Sequence, residues 1–164
     1  MKDYYDSLYA KIKYLLNDVT PLSADCGKIC NKACCKGDDN IGMLLFPSEK
    51  SKLEVKENAN GRFVICNGKC NRNDRPLSCM IFPFFPILDE NEKIKVALDY
   101  RGYSVCPLIK NANIVKFNHL FLRRLRVVGN ILIKDEKCKE FIKNISKEIE
   151  DSKELTKILN GEDK

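Results

Sequence analysis

The stretch Cys26-Gly27-Lys28-Ile29-Cys30-Asn31-Lys32-Ala33-Cys34-Cys35 puts four thiols into ten residues, and no other segment constrains the fold as strongly. Thiolates this dense repel one another and oxidise unless a cation holds them, so the spacing predicts a metal site. A helix running straight through the stretch would raise Cys26, Cys30 and Cys34 in steps of about 6 Å along one face, leaving the outer two about 12 Å apart. A zinc–sulfur bond is only about 2.3 Å long. Either the helix unwinds at Gly27, or the ligands divide between centres. On such a helix Cys35 points about 100 degrees away from Cys34, which again favours division or a polynuclear site.

Further cysteines follow at Cys66-Asn67-Gly68-Lys69-Cys70, at Arg75-Pro76-Leu77-Ser78-Cys79 and at Val105-Cys106-Pro107. A turn through Gly68 can point the sulfurs of Cys66 and Cys70 the same way, as knuckles do in small zinc proteins. The candidate ligands are therefore Cys26, Cys30, Cys34, Cys35, Cys66, Cys70, Cys79 and Cys106. Seven or eight thiols are too many for one tetrahedral ion. The count suggests two mononuclear sites, a binuclear site with bridging sulfur, or an iron–sulfur cluster with spare ligands. The ninth, Cys138, shares helical spacing with Phe141, Ile142, Ile145 and Ile149 and reads as a small buried hydrophobe.

The chain has 164 residues, 44% apolar and 32% charged, which suits one domain with a real core or one domain plus a helical appendage. Its longest apolar stretch, around residues 80–88, is interrupted by Pro83 and Pro86 and is too short to cross a bilayer. No apolar leader follows Met1, so the expectation is a cytoplasmic protein with no membrane partner. Nine cysteines cannot all pair within one chain, and in that compartment thiols stay reduced. The formal charge of +6 counts them as neutral. Eight thiolates set against two zinc ions would bring the balance to about +2, so the basic excess is weak evidence for a nucleic-acid partner.

Residues 4–17 place Tyr5, Leu8, Ile12, Leu15 and Leu16 at helical intervals, and Thr20-Pro21 ends the pattern. A turn is expected at 37–40, then an apolar run over 41–46. Residues 53–56 and 62–65 flank Asn60-Gly61, a hairpin signal, and a second strand pair is expected at 84–88 and 94–100. Beyond Pro107 no proline recurs, and helices are expected at 114–128, at 135–149 and in a short piece ending near Leu159. The fold class is α+β: a small irregular metal-stapled core with short β-hairpins, an N-terminal helix and a helical C-terminal third. Residues 1–110 form the cysteine-cluster metal-binding domain, and 111–164 a helical segment packed on it.

The series Cys26-x3-Cys30-x3-Cys34-Cys35, Cys66-x3-Cys70 and Arg75-Pro76-x2-Cys79, with Phe82-Pro83 after it, resembles the YkgJ-type cysteine-cluster family. That family is described as a zinc- or iron-chelating domain, and the flagellin lysine N-methylases carry a related cluster. The match spans about half the chain, from Cys26 to Cys106, and departs from the shorter Cys-x2-Cys opening of many members. It implies zinc or an iron–sulfur cluster as cofactor, and it gives two other residues a possible role. Arg75, held extended by Pro76, can donate to cluster sulfurs or to a bound anion; the plainer reading is a surface ion pair with Asp74 or Asp39. Glu49 can orient a ligand or bind metal; the plainer reading is a helix-start or solvent residue.

Other chemistry finds little support. His119 is the single histidine, without a nucleophile motif, and Gly37 to Gly42 lacks the lysine of a phosphate loop. Arg123, Arg124 and Arg126 could face an acidic partner but read better as a solvated helix face. Three functions follow: a metal-binding protein; an iron–sulfur enzyme similar to the flagellin methylases, acting on a lysine-bearing partner; or an interaction module with structural zinc, binding a protein through its helical third. No catalytic residue is assignable, and neither is the choice between zinc and iron.

Overall fold

The computed structural model describes residues 2–36, 42–66 and 68–161. In chain order it contains α1 (Lys2–Leu16), α2 (Gly27–Cys30), β1 (Met43–Leu44), β2 (Glu54–Asn58), β3 (Gly61–Ile65), α3 (Leu77–Ile81), β4 (Phe84–Leu88), β5 (Ile94–Leu98), α4 (Pro107–Lys110), α5 (His119–Leu132) and α6 (Glu136–Asn160). The strands form two antiparallel sheets, one ordered β1-β3-β2 and the other the β4-β5 hairpin. The fold is α+β, with an N-terminal helix, short hairpins and a helical C-terminal third. Among the described residues no helix is long and apolar enough to cross a membrane. The turn expected at 37–40 lies outside the described residues.

Local chemistry sets the element ends. The first hairpin pairs Asn58 with Gly61, so Ala59 and Asn60 form its turn, one residue earlier than the Asn60-Gly61 signal suggests. Asn58 Oδ1 accepts the Asn60 N–H at 2.9 Å and closes that turn. In the second, Asp89 Oδ1 accepts from the N–H groups of Asn91 and Lys93, each at 2.9 Å. Helix α5 starts at His119, later than its apolar spacing suggests, because Asn118 Oδ1 caps it by accepting from Leu120 at 3.0 Å and Phe121 at 3.4 Å. The two helices expected over 135–149 and near 159 are one helix of 25 residues. Asp135 caps it, and no glycine or proline interrupts it before Gly161, which closes it at φ 70°.

Helices α5 and α6 lie on the β4-β5 hairpin, and α1 packs on α5, the three sharing one core. Helix α1 contributes Tyr5, Tyr9, Ile12 and Leu16, α5 contributes Phe121, Leu125, Val128 and Leu132, and α6 contributes Cys138, Ile142, Ile145 and Ile149. Each of these aliphatic and phenylalanine side chains contributes about 1.5–3 kcal/mol by leaving water. Gly129 lets α5 approach the hairpin: a Cβ there would stand 2.7 Å from Ile94 Cγ2 and 2.9 Å from Pro86 Cβ. Residues on both sides of position 110 share this one core. Cys138 is fully enclosed in it, its sulfur 3.6 Å from the Tyr9 hydroxyl.

The segments 26–35 and 66–70 lie outside that core, while α3, which carries Cys79, places Leu77 and Ile81 in it. A second, smaller apolar cluster forms around Cys106, Leu108 and Ile109, with Leu22, Cys26 and Phe82 packed against it.

Candidate metal centre

Helix α2 ends after a single turn. Asn31 and Lys32 both adopt left-handed backbone, at φ 49° and 55°, and a 3-10 turn over Ala33–Cys35 follows. The straight helix considered above is therefore broken at Asn31-Lys32, and not at Gly27, which stays inside α2. A left-handed Lys has no local side-chain bond to favour it, so such a conformation persists only where its surroundings hold it. One restraint is visible: Lys32 Nζ donates to the Gly68 carbonyl at 3.2 Å, tying this loop to the Cys66–Cys70 loop.

That break turns the chain back on itself. The Cys30 thiol contacts the Cys26 carbonyl at 3.7 Å. Cys26, Cys30, Cys34 and Cys106 line one narrow cavity of about 10 Å³, sealed by Phe82, Pro83 and Val105. On the other side of the 3-10 turn, Cys35 bonds to both Cys34 and Cys66. Cys66 bonds in turn to Cys70 and accepts the Gly68 N–H, where Gly68 turns the loop at φ 76°. Cys79, on α3, stands in the field of Cys35, Cys66 and Cys70.

Arg75 is the cation of this end. It bonds to Cys70 and faces Cys35 and Cys79. Asp74 pairs instead with Lys52 at 2.8 Å, and Asp39 lies outside the described residues.

Glu49 is not a solvent residue; it lies in the field of Cys79, and its bonds run to backbone N–H groups and Lys13. It is 1% exposed, and its carboxylate accepts the Leu77 N–H at 2.7 Å and the Phe46 N–H at 3.3 Å, with Lys13 Nζ at 3.3 Å. It thus ties α1 to the start of α3, two residues before Cys79. Burial holds its pKa above the ordinary carboxylate value, against the pull of Lys13 and the two N–H groups.

Electrostatics explains why such a collection of sulfurs wants a cation. Burial is the main cause that raises the thiol pKa values of Cys26, Cys66, Cys79 and Cys106, and neighbouring thiolates add to it in all four. Cys35 is the exception, lowered to about 6 by the hydrogen bond it receives from Cys34 and by Arg75, Cys66 and Lys32. Its partner Cys34 is correspondingly raised. Among the described residues no three His, Cys, Asp or Glu side chains converge closely enough to hold an ion as they stand. The sulfurs are neighbours, and ligation requires their side chains to turn toward a common point. The donors gathered here are thiols throughout, a soft set that fits zinc or an iron–sulfur cluster and not an oxygen-seeking cation.

Two other features border the site. A cleft of about 320 Å³ opens beside Cys34, floored by Phe63, Phe82 and Phe84 and edged by Lys36, Arg101 and Glu148. Arg101 is fixed there by two bonds to buried Asp99, at 2.8 and 2.7 Å, and a third to Glu148 at 3.1 Å. No motif announces this cleft, because its walls come from separate segments. His119 is exposed and lies elsewhere, beside Arg123 and Arg126. Arg124 is structural, donating to the Leu15 carbonyl at 3.1 Å and pairing with Asp18.

Compared with protein-family models, with curated proteins and with solved structures, the chain matches none.

Proposed function

We propose that this is a cytoplasmic metal-binding protein whose cysteines hold zinc or an iron–sulfur cluster. One observation carries the reading: eight of the nine cysteines, drawn from four separate stretches of chain, lie within electrostatic reach of other cysteines of the set, with Arg75 beside Cys35, Cys70 and Cys79. The ninth, Cys138, is sequestered in the apolar core. Small buried hydrophobes scatter through a core according to local spacing. Neighbouring thiols of which Cys26, Cys66, Cys79 and Cys106 are penalised as anions by burial and by one another's charge are a set that bound cations would stabilise. The resemblance to the YkgJ-type family points the same way.

In this reading Cys26, Cys30, Cys34, Cys35, Cys66, Cys70, Cys79 and Cys106 supply the ligands, and Arg75 offsets their negative charge by donating to sulfur. Bound metal would supply cross-links between segments that share few apolar contacts. A second reading, an iron–sulfur enzyme resembling the flagellin lysine N-methylases, draws on the cleft beside Cys34, which would give a substrate access to the centre.

Anaerobic purification followed by an absorption spectrum and elemental analysis tests both. Colourless protein carrying zinc supports a structural centre. Brown protein carrying iron and acid-labile sulfide supports the cluster and keeps the enzyme reading open. Metal-free protein that remains folded with nine free thiols would end the metal-binding reading altogether.

A further inference from the structure

The eight clustered thiols are not one collection. We infer that they form two separate centres, Cys26, Cys30, Cys34 and Cys106 holding one ion or cluster and Cys35, Cys66, Cys70 and Cys79 holding another. This rests on the metal-binding reading above and adds how the ligands divide.

Three observations carry the division. First, the cavity between α2 and α4 is lined by all four sulfur residues of the first set and by none of the second. At about 10 Å³ it has roughly the room of a single water or ion. Second, the thiol contacts run within the sets. Cys26 interacts with Cys30 and Cys106, and Cys106 with Cys30, while Cys79 interacts with Cys35, Cys66 and Cys70. Only the adjacent pair Cys34-Cys35 joins the two by a hydrogen bond among those described.

Third, the backbone supplies the reason. After the left-handed Asn31 and Lys32, the 3-10 turn over Ala33–Cys35 directs successive side chains about 120 degrees apart. Cys34 turns back toward Cys26 and Cys30, and Cys35 faces the Cys66–Cys70 loop. The adjacent cysteines are thus a shared wall, one thiol given to each side. Charge is consistent with this. Four thiolates around a divalent ion leave a charge of about −2. The second set has Arg75 and Lys32 beside Cys35 to balance it.

The experiment uses the full chain purified anaerobically, with metal per chain measured for wild type and for C26S, C106S, C66S and C79S. Each single variant is expected to retain half of the wild-type metal. C26S/C106S, confined to one set, retains the same half, whereas C106S/C79S, spanning both, retains none. Circular dichroism confirms that α1, α5 and α6 remain folded. In parallel, metal-free wild type is reloaded with cobalt(II) alone, and two magnetically isolated high-spin ions are expected by electron paramagnetic resonance.

A coupled cobalt pair would overturn the division without any variant having to fold. So would loss of all metal in each folded single variant, or unchanged metal in C26S and C106S. Those results leave the metal-binding reading standing. Wild type with no metal at all overturns both.

Discussion

The half of the molecule built from α1, α5, α6 and the β4-β5 hairpin differs in kind from the end that carries the cysteines. In the first, long capped helices present continuous apolar faces to one another, and Phe121, Leu125, Leu132 and Ile142 are fully enclosed. In the second, the elements are a one-turn helix, 3-10 turns, a two-residue strand and two left-handed residues in succession. The first half is held by apolar area. The second offers less of it, in the small cluster around Cys106 and in Leu77 and Ile81 of α3, and what it concentrates instead is sulfur. Two ways of holding a chain together therefore meet in one domain.

The largest way to break this comparison is to remove the metal proposed for the cysteine end. Chelation under reducing conditions is expected to release the cysteine end, since thiolate-bound zinc contributes on the order of 10 kcal/mol to the segments it joins. Amide exchange should then become fast over 26–36 and 66–79 while α5 and α6 stay protected. Simultaneous loss of protection everywhere would show that the two regions are one cooperative unit.

The cysteines themselves sharpen the contrast. In metal-free protein Cys35 is lowered to about 6, while burial pushes Cys138 up to about 12. A lowered value means the thiolate is present above pH 6 and is lost as pH falls through it. At pH 7 the two thiolate fractions differ on the order of 10⁵-fold. Iodoacetamide should label Cys35 first, at a rate that drops below pH 6, and leave Cys138 unmodified until the core unfolds. Early labelling of Cys138 would mean the core is not closed.

A core substitution tests the other side. Phe121→Ala, at a side chain with 0% exposure, should cost about 3–5 kcal/mol in urea unfolding while metal content stays at the wild-type level. Loss of metal in folded Phe121→Ala protein would show that the centre depends on the core's packing.

The two regions were also unequally legible in the sequence. Helical periodicity exposes α1, α5 and α6 because their apolar faces repeat many times; the structure differs at their ends and in joining two expected helices into α6. Asn118 delays α5, and the charged stretch after Ile149 hides the continuity of α6. Tyr9 was missed as a core residue because its hydroxyl reaches a carbonyl, that of Pro47 at 2.7 Å. At the cysteine end, spacing identified the thiols, but the path between them turns on Asn31 and Lys32. Asparagine tolerates left-handed backbone and lysine does not advertise it, so nothing in the stretch marks the break. For Glu49 the solvent reading fails, since it is 1% exposed, and its partners are Lys13 and two backbone N–H groups, which no sequence pattern names.

Glu49 is where the two regions are joined, and it yields the smallest and most specific expectation. Its carboxylate links Lys13 of α1 to the Leu77 N–H that opens α3, the helix bearing Cys79. Glu49→Ala leaves two buried N–H groups and a partly buried lysine without their acceptor, and should cost about 2–3 kcal/mol. The pH response separates this from simple loss of packing. Because burial raises the folded pKa above the ordinary 4.5, the folded protein keeps this proton after the unfolded chain has released it. The stability it contributes is full below pH 4.5 and is lost as pH rises toward the folded value. Glu49→Gln, which cannot titrate, should flatten that part of the stability profile in urea unfolding between pH 4.5 and 8. It should also keep its metal, since the carboxylate acts on the backbone that carries Cys79 and not on the sulfur. An unchanged slope would assign the titration to another group, and lost metal in folded Glu49→Gln protein would move Glu49 into the centre itself.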